Sequence, residues 1–546
     1  MKRLIKFSIL AAIVALSVAT TFQPHSNKYF EITKNIEIFA NLYKELNTYY
    51  VDDLDPGKLM RTGIDAMVES LDPFTNYISE SDIEGYRFLT EGKYNGIGAM
   101  SKQMGDYVTV TELYEGQPAD KAGLKVGDQI LAVDGKDATG KTVDELNDIM
   151  RGFPGTVVKL KIRRPGMPND MEIPLTRSEV DVPNVPHFDM VSEDVGYVAL
   201  TIFTHDAGRN VAEAVKKLKD QNPNLKGIIL DLRDNGGGLL NEAVNVCNVF
   251  IPRNELVVTT KGKVKEWDQA FRTMGSPVDL NIPLAVLIDK GSASASEIVC
   301  GVFQDYDRGI LLGQRSYGKG LVQNTRDVGY NSKLKLTTAK YYIPSGRCIQ
   351  SVEYKNGEPV DIPDNRRTPF KTRNGRTVLD GGGVKPDVVL AQLADDAIVR
   401  SLEDQNIVFD YATQYCLKHP TIGSTSPTEF KFTDFDDFLK FVDNKSFSYE
   451  TDSEKLLAQL KEKSSKDGFA VDAEIKALES KIKASKKQDL MEYKAVLIDL
   501  IEKEIVGRYF YQAGKIKIGL RNDEEVRDAI SILKDQARYK QLLQGK

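Results

Sequence analysis

The spacing of hydrophobic residues changes three times along the chain, and each pattern predicts a different kind of structure. From about Ile32 to Leu89, apolar residues such as Ile36, Phe39 and Tyr43 recur at helical spacing. This pattern predicts a helical N-terminal region, which we place at residues 30–90.

Between residues 91 and 168 the pattern changes to short alternating segments. A helix is predicted from Thr142 to Arg151, because a threonine N-cap precedes acidic residues in the first turn. The predicted strands are Tyr107–Thr111, Gln129–Val133 and Val157–Ile162. Together these elements indicate a small β-module.

From residue 169 to residue 395, predicted strands and helices alternate. The run Gly227–Arg233 is apolar enough for a strand buried on both faces, and Asn235-Gly-Gly-Gly238 then leads into a helix. Pro283–Asp289 repeats this arrangement, with a serine-rich turn opening the next helix. The alternation predicts an α/β domain with a largely parallel sheet.

Beyond residue 396 glycine becomes scarce, and Lys, Glu, Asp and Leu dominate. We predict a C-terminal helical domain, residues 396–546, whose charged faces are solvated around a small core. Its predicted helices are Glu454–Glu462, Val471–Ser485, Leu490–Val506 and Glu524–Leu543.

Length, charge and the N-terminus narrow the classes of function. A chain of 546 residues is too long for one hydrophobic core, and a net charge of −6 argues against a nucleic-acid partner. Residues 1–19 join Lys2, Arg3 and Lys6 to a short apolar run, which is typical of a signal peptide. We therefore predict an exported, periplasmic protein; an uncleaved N-terminal membrane anchor is the alternative.

Cysteine and histidine usage predicts neither a metal site nor a cofactor. The four cysteines form no Cys-x-x-Cys pair, and the four histidines are scattered. Buried free thiols are expected, with a disulfide as the alternative in an oxidising compartment. The cysteines are Cys247, Cys300, Cys348 and Cys416.

Two segments carry the candidate chemistry. Gly291-Ser-Ala-Ser-Ala-Ser-Glu297 opens a predicted helix, and Ser316-Tyr-Gly-Lys-Gly-Leu-Val-Gln323 follows it, with Lys319 on a predicted strand. A serine hydroxyl needs a base that removes its proton, and no histidine lies near either segment. Burial can lower the pKa of a lysine by roughly 3–5 units, so Lys319 could act as that base.

Two further features fit this chemistry. On an extended strand residues 319, 321 and 323 share one face, so Gln323 is predicted to lie beside Lys319 and accept a hydrogen bond from it. The glycine turn Asn235–Gly238 follows a parallel strand and leaves backbone N–H groups free to stabilise an oxyanion. A phosphate site is disfavoured there, because no Walker lysine follows.

These segments resemble the carboxyl-terminal processing (tail-specific) proteases over roughly residues 30–395. The resemblance implies a crotonase/ClpP-like protease core at residues 169–395, with Ser294 as nucleophile, Lys319 as base and Gln323 as the assisting residue. The stretches that carry it are Asp231–Gly238, Gly291–Ile298, Tyr317–Gln323, Tyr341–Arg347 and Gly383–Asp387.

The resemblance also implies roles for backbone groups. The N–H groups of Ala295 and Gly238 would form the oxyanion hole, and Ser292 and Ser296 would be structural. The β-module, residues 91–168, resembles the PDZ domain of these proteases, since Tyr94-Asn-Gly-Ile-Gly98 matches the loop that holds a peptide's C-terminal carboxylate. Gly96, Ile97 and Gly98 would then bind substrate C-termini; a structural lid is the alternative.

The sequence therefore predicts an exported serine endopeptidase that captures substrate C-termini and cleaves peptide bonds without a cofactor. Two alternatives are a non-catalytic PDZ adaptor and a crotonase-like acyl enzyme acting on thioesters. A homodimer or an adaptor protein bound to the C-terminal region is an open expectation about partners, and any membrane tether would be N-terminal.

Overall fold

The computed structural model describes residues 26–350, 354–355, 358–360, 363–390, 397–445 and 447–545. The predicted signal segment, residues 1–19, lies outside these ranges. The described chain divides into two compact units, one ending at Tyr77 and one beginning at Ile78. No helix in the described ranges has both the length and the apolar content that a bilayer crossing requires.

The first unit contains two helices, Ser26–Tyr49 and Pro56–Glu69, as the helical spacing predicts. The second helix begins at Pro56 because the Asp55 carboxylate accepts the N–H of Lys58 at 3.0 Å and proline fits a first helical turn. The Tyr43 hydroxyl donates to the Pro56 carbonyl at 2.7 Å and joins the two helices.

The β-module forms an antiparallel sheet at the start of the second unit. Thr142 caps its longer helix, Val143–Met150, and forms the predicted N-cap together with Glu145. Alternate residues of Val157–Arg163 are buried, which creates one core face. The other elements are the strands Ala99–Met104, Tyr107–Leu113, Gln129–Val133, Lys136–Asp137 and Met171–Thr176 and the helix Pro118–Lys121.

The α/β domain is built on a six-stranded sheet in which one edge pairing is antiparallel and the other four are parallel. This confirms the predicted largely parallel sheet. In spatial order the strands are His187–Met190, Val195–Ala199, Gly227–Asp231, Leu284–Ile288, Ile310–Gly313 and Val388–Val389. The helices Ala207–Gln221, Leu240–Phe250 and Ala295–Asp305 pack on one face of it.

A second, antiparallel sheet lies beside the first. In it, Ser332–Tyr342 pairs with both Leu321–Gly329 and Leu256–Gly262, and Gln269–Arg272 pairs with Leu256–Gly262. Because Lys319 lies two residues before the start of Leu321–Gly329, this sheet positions the predicted base.

The last helices of the chain cover the other face of the parallel sheet. Val526 and Leu533 pack with Ile229 and Leu287 of the sheet, and the backbone N–H of Leu284 donates to the Tyr539 hydroxyl at 3.0 Å. The C-terminal region therefore contributes to the core of the α/β domain as well as to its own cluster, which includes the buried phenylalanines Phe435 and Phe438.

One predicted helix is wrong in its extent. The single closing helix expected over residues 524–543 is two helices, Glu524–Lys534 and Gln536–Leu543. The Asp535 carboxylate accepts the N–H groups of Ala537 and Arg538, so this residue starts a new helix and the first one ends. The preceding helices are Ala397–Asp404, Ile407–Lys418, Phe435–Asn444, Asp452–Asp467, Asp472–Glu492 and Lys494–Gly519.

The remaining elements are short connections. They are the helix Ile83–Glu91, the strands Asn76–Ile78, Lys93–Gly96, Ser178–Asp181, Tyr354–Lys355, Glu358–Pro359, Pro369–Lys371 and Thr377–Leu379, and the 3₁₀ turns Lys265–Trp267, Asp364–Arg366 and Pro427–Glu429.

Candidate active site

Two loops meet at the carboxyl edge of the parallel sheet, where α/β proteins place their sites. The glycine turn after Gly227–Asp231 and the serine turn after Leu284–Ile288 are joined by hydrogen bonds. The Asn235 carbonyl accepts the Ala293 N–H at 3.0 Å and the Ser296 hydroxyl at 2.8 Å. The two loops therefore form one bonded edge.

The three serines of the serine turn differ in their hydrogen bonds and backbone conformation. Those of Ser292 and Ser296 are buried and donate to the carbonyls of Leu232 and Asn235, respectively. Ser294 instead is the N-cap of Ala295–Asp305, with φ 55° and ψ −110°, a conformation that non-glycine residues rarely adopt. This arrangement singles out Ser294 as the residue held in an unusual backbone geometry.

The predicted base lies in a turn and not on a strand, which corrects the sequence expectation. Lys319 precedes the strand that begins at Leu321. The Gly320 N–H donates to the Gln350 side chain at 2.7 Å, and a Cβ at Gly320 would come within 2.6 Å of the Gln350 nitrogen. The glycine therefore permits close packing of this turn against the Gln350 backbone.

A fully buried carboxylate, that of Glu297, connects the serine turn to the lysine turn. Its Oε2 accepts the backbone N–H groups of Ser294 and Lys319, each at 2.8 Å. Its Oε1 accepts the Ser316 hydroxyl at 2.6 Å and the Gly318 N–H at 2.7 Å. Burial raises the pKa of Glu297 to about 7, and the four hydrogen bonds partly oppose that shift.

The Tyr341 hydroxyl makes a second connection between the same two turns. It lies 2.6 Å from the Lys319 carbonyl oxygen and 3.1 Å from that of Ser294. Glu297 thus joins the backbones of residues 294 and 319 through their N–H groups, and the Tyr341 hydroxyl, with one hydrogen to donate, lies between their carbonyl oxygens.

Sequence reasoning assigned no role to Glu297 or Tyr341. Glu297 carried a weak signal, because a glutamate three residues after a serine is the sequence signature of a helix capping box. Tyr341 carried none, since its contacts depend on how a distant strand packs.

Two backbone N–H groups near Ser294 are placed to donate hydrogen bonds to a negatively charged oxygen. Within the described residues, the N–H groups of Gly238 and Ala295 donate to no protein acceptor. The Gly237 N–H is bound to Asn235 Oδ1 at 2.9 Å. A Cβ at Gly237 would come within 2.8 Å of the Ser294 Cβ, so this glycine permits the close approach of the two loops.

The structure places Gln323 on the strand that follows the lysine turn. A bulge between Val322 and Gln323 interrupts the simple alternation of faces that the sequence prediction assumed. The Gln323 amide nitrogen donates to the Thr337 hydroxyl at 3.1 Å, which fixes the orientation of the amide.

The peptide-loop residues Gly96, Ile97 and Gly98 are buried at the edge of the β-module. Gly98 has φ +78°, and a Cβ there would come within 2.3 Å of the Gln117 Cβ. Burial raises the pKa of the Tyr94 phenol to about 12, and the nearby Arg151 and backbone N–H groups of Gly98 and Ala99 partly oppose that shift. These N–H groups therefore lie near a neutral phenol.

The cysteines do not form a disulfide, and all four are free thiols. The described residues also include no cluster of three or more His, Cys, Asp or Glu side chains placed to hold a metal ion.

Comparisons with known proteins cover all three parts of the second unit. The sequence matches peptidase family S41 over residues 194–357, a PDZ domain over residues 109–164, and the family described as "Probable PDZ-protease, C-terminal helical domain" over residues 398–533.

Individual relatives give the same family. A carboxy-terminal-processing protease of Bartonella bacilliformis is 35% identical over 344 residues, which cover 63% of this chain and 78% of the relative. A probable CtpA-like serine protease of Staphylococcus aureus is 35% identical over 60% of this chain and 65% of its own length. The solved photosystem II D1 C-terminal processing protease aligns with 67% of this chain and 96% of its own, at 27% identity and a TM-score of 0.36.

The S41 match includes both turns at the sheet edge, the PDZ match lies within the β-module, and the third match covers most of the C-terminal helices. The chain therefore belongs to peptidase family S41, as a carboxy-terminal-processing serine protease that carries a PDZ domain.

Proposed function

We propose that the protein is an exported endopeptidase that binds the free C-terminus of a substrate protein at Gly96, Ile97 and Gly98 and cleaves it with Ser294. Lys319 is the base in this proposal, and Gln323 orients the lysine. The observation that carries it is the connection of Ser294 and Lys319 by two buried side chains, Glu297 and Tyr341.

In the proposed reaction the Ser294 hydroxyl attacks the carbonyl carbon of the scissile peptide bond as its proton passes to the Lys319 amine. The N–H groups of Ala295 and Gly238 donate hydrogen bonds to the oxyanion. Ala295 begins a helix, and the helix dipole also stabilises negative charge at this end. Lys319 then gives its proton to the leaving amine, and an acyl-enzyme on Ser294 remains. Water hydrolyses this ester, with the lysine again acting as base.

Capture of a terminal carboxylate is supported by the β-module. The loop offers backbone N–H groups just before the start of Ala99–Met104, and the Tyr94 phenol beside them is neutral. A peptide carboxylate would be a stronger acceptor for the same N–H groups, because charge-assisted hydrogen bonds exceed neutral ones in strength. Addition of the peptide beside this strand supplies further main-chain bonds.

The test is hydrolysis of an unfolded protein with a free C-terminus by Ser294→Ala, Lys319→Ala and Lys319→Arg. We expect each variant to lose activity by on the order of 10⁴-fold, and arginine fails because it stays protonated. Lys290→Ala is the matched control, since Lys290 is exposed on the same serine turn. Wild-type activity in Ser294→Ala or Lys319→Ala would refute the assignment.

Assays of the wild-type protein distinguish the two alternative functions. A non-catalytic adaptor would bind the peptide without any turnover in the wild-type protein. An acyl enzyme for thioesters would hydrolyse a thioester substrate and leave the unfolded protein intact.

A further inference from the structure

Glu297 and Tyr341 form what we call the backbone clamp, because they contact residues 294 and 319 on complementary groups. Glu297 accepts the two N–H groups, and the Tyr341 hydroxyl lies within hydrogen-bond distance of the two carbonyl oxygens. Residues 294 and 319 are 25 positions apart in the sequence, and a backbone hydrogen bond from the Tyr317 N–H to the Ser292 carbonyl at 3.0 Å also joins their two turns.

Tyr341 is itself rigidly placed. It is 1% exposed, and it lies on the strand Ser332–Tyr342, where it pairs with Thr260 of the neighbouring strand. Its backbone N–H donates to the Gly320 carbonyl at 3.0 Å. The residue therefore holds the lysine turn with two groups, its backbone N–H at Gly320 and its hydroxyl at Lys319.

The unusual backbone of Ser294 makes such support necessary. A non-glycine residue at φ 55° and ψ −110° costs on the order of 1–3 kcal/mol and persists only where its surroundings fix it. Tyr341 has one hydroxyl hydrogen, and the shorter contact, 2.6 Å, directs it to the Lys319 carbonyl. The Tyr341 hydroxyl oxygen also lies 3.1 Å from the Ser294 carbonyl oxygen. A shift of the lysine turn relative to this hydroxyl would therefore change the distance between Lys319 and Ser294.

We infer that Tyr341 is a positioning residue for the serine–lysine pair, and that its hydroxyl sets the distance of the lysine turn from Ser294. This inference rests on the proposed function, since it concerns the same pair. Tyr341 is buried and does not belong to the peptide loop, so its hydroxyl should affect the rate of the chemical step and leave substrate binding unchanged. A displacement of about 1 Å between reacting groups can reduce a rate by about 100-fold.

The experiment compares three side chains at position 341 in the full chain: phenylalanine, p-methylphenylalanine and p-aminophenylalanine. The methyl analogue fills the space of the hydroxyl but cannot donate, whereas the amino analogue restores an N–H donor. We expect Tyr341→Phe and the methyl analogue to lower kcat by about 10–100-fold with KM within a factor of two. The amino analogue should recover most of the lost kcat.

Tyr342→Phe is the matched control. Tyr342 is the next residue on the same strand, is partly exposed, and stacks its ring under Lys261 at 4.9 Å, a contact that phenylalanine keeps. Its kcat should match that of the wild type. Melting temperatures are recorded for all variants, and the methyl analogue keeps the test valid if Tyr341→Phe leaves a destabilising cavity.

Two results would overturn the inference. The first is a methyl analogue with wild-type kcat, and the second is an amino analogue that is no better than the methyl analogue. Ser294→Ala is assayed in parallel, so that a failure of the role of Tyr341 can be told from a failure of the proposed function. If Ser294→Ala is inactive and the position-341 variants are normal, only the role of Tyr341 is wrong; if Ser294→Ala is active, the proposed function itself is wrong.

Discussion

The serine turn and the peptide loop both present backbone N–H groups, but they are held in different ways. The serine turn is bonded to buried polar groups, with the ionisable Glu297 at its centre. The peptide loop is held by backbone bonds to its own module, such as Tyr114 N–H to the Gly98 carbonyl at 3.1 Å, and by close packing of Gly98 on Gln117.

This difference matches what each loop has to do. A reacting pair must keep its geometry through bond making and breaking, and a buried carboxylate with four donors resists displacement. A peptide-binding loop must release one partner and accept another, and a carboxylate is a stronger hydrogen-bond acceptor than the neutral Tyr94 phenol that lies near this loop. Each loop should therefore fail separately when its own support is removed.

Of the three effects that compare the supports of these two loops, the largest should follow Glu297→Gln. The amide nitrogen of glutamine would face N–H donors that now meet a carboxylate oxygen, so at least one N–H loses its acceptor, at a cost of about 1–3 kcal/mol. We expect kcat for peptide hydrolysis to fall by about 100-fold, while binding of a fluorescent decapeptide with a free C-terminus is unchanged.

Glu502→Gln serves as its control. Glu502 is also a buried carboxylate, but it accepts the Phe432 N–H and pairs with Arg521 in the C-terminal helical domain. This variant should lose stability and keep kcat. Loss of peptide binding in Glu297→Gln would show that the two loops are not independent.

A smaller effect should appear as a dependence of stability on pH. Because burial raises the pKa of Glu297 from an ordinary value of 4.5 to about 7, the folded protein binds the proton more tightly than the unfolded chain. The free energy of unfolding should therefore fall as pH rises from about 5 to about 7, by about 2 kcal/mol for this group.

Denaturant unfolding of wild type and Glu297→Gln across this range measures that contribution. The difference between their pH slopes belongs to Glu297, because the other titrating groups are shared. Parallel slopes would mean that the carboxyl titrates at the same pH in both states.

The smallest of the three effects should follow Gly98→Ala. An alanine there would combine a φ of +78° with a Cβ only 2.3 Å from the Gln117 Cβ, so the loop must shift. We expect about tenfold weaker binding of the decapeptide, roughly the 1–2 kcal/mol that a strained residue costs, with turnover of a short peptide lacking a free carboxylate unchanged.

Gly105→Ala is the control that separates backbone strain at positive φ from steric overlap of the new Cβ. Gly105 lies in the same module at φ +60°, but a Cβ there would have no neighbour within 4 Å. Its peptide affinity should equal that of the wild type. Equal loss of affinity in both variants would mean that backbone strain alone, and not the position of the loop, weakens binding.

Local patterns account for most of what the sequence predicted. The strand Val157–Arg163 follows from alternation of buried and exposed residues, and Thr142 follows from capping chemistry. Errors arose where a local pattern is ambiguous. A single carboxylate, Asp535, divides the closing helix, and a glycine turn, not a strand, holds Lys319.

The sequence by itself determined the fold class, a serine-rich turn at the start of a helix and the presence of a lysine with glycines on both sides, because these depend on neighbouring residues. Only the tertiary structure decided how those residues are held. Glu297 meets Lys319 across 22 positions, and Tyr341 meets Ser294 across 47. Such contacts depend on the packing of two sheets, and no periodicity within a short window encodes the distance between them.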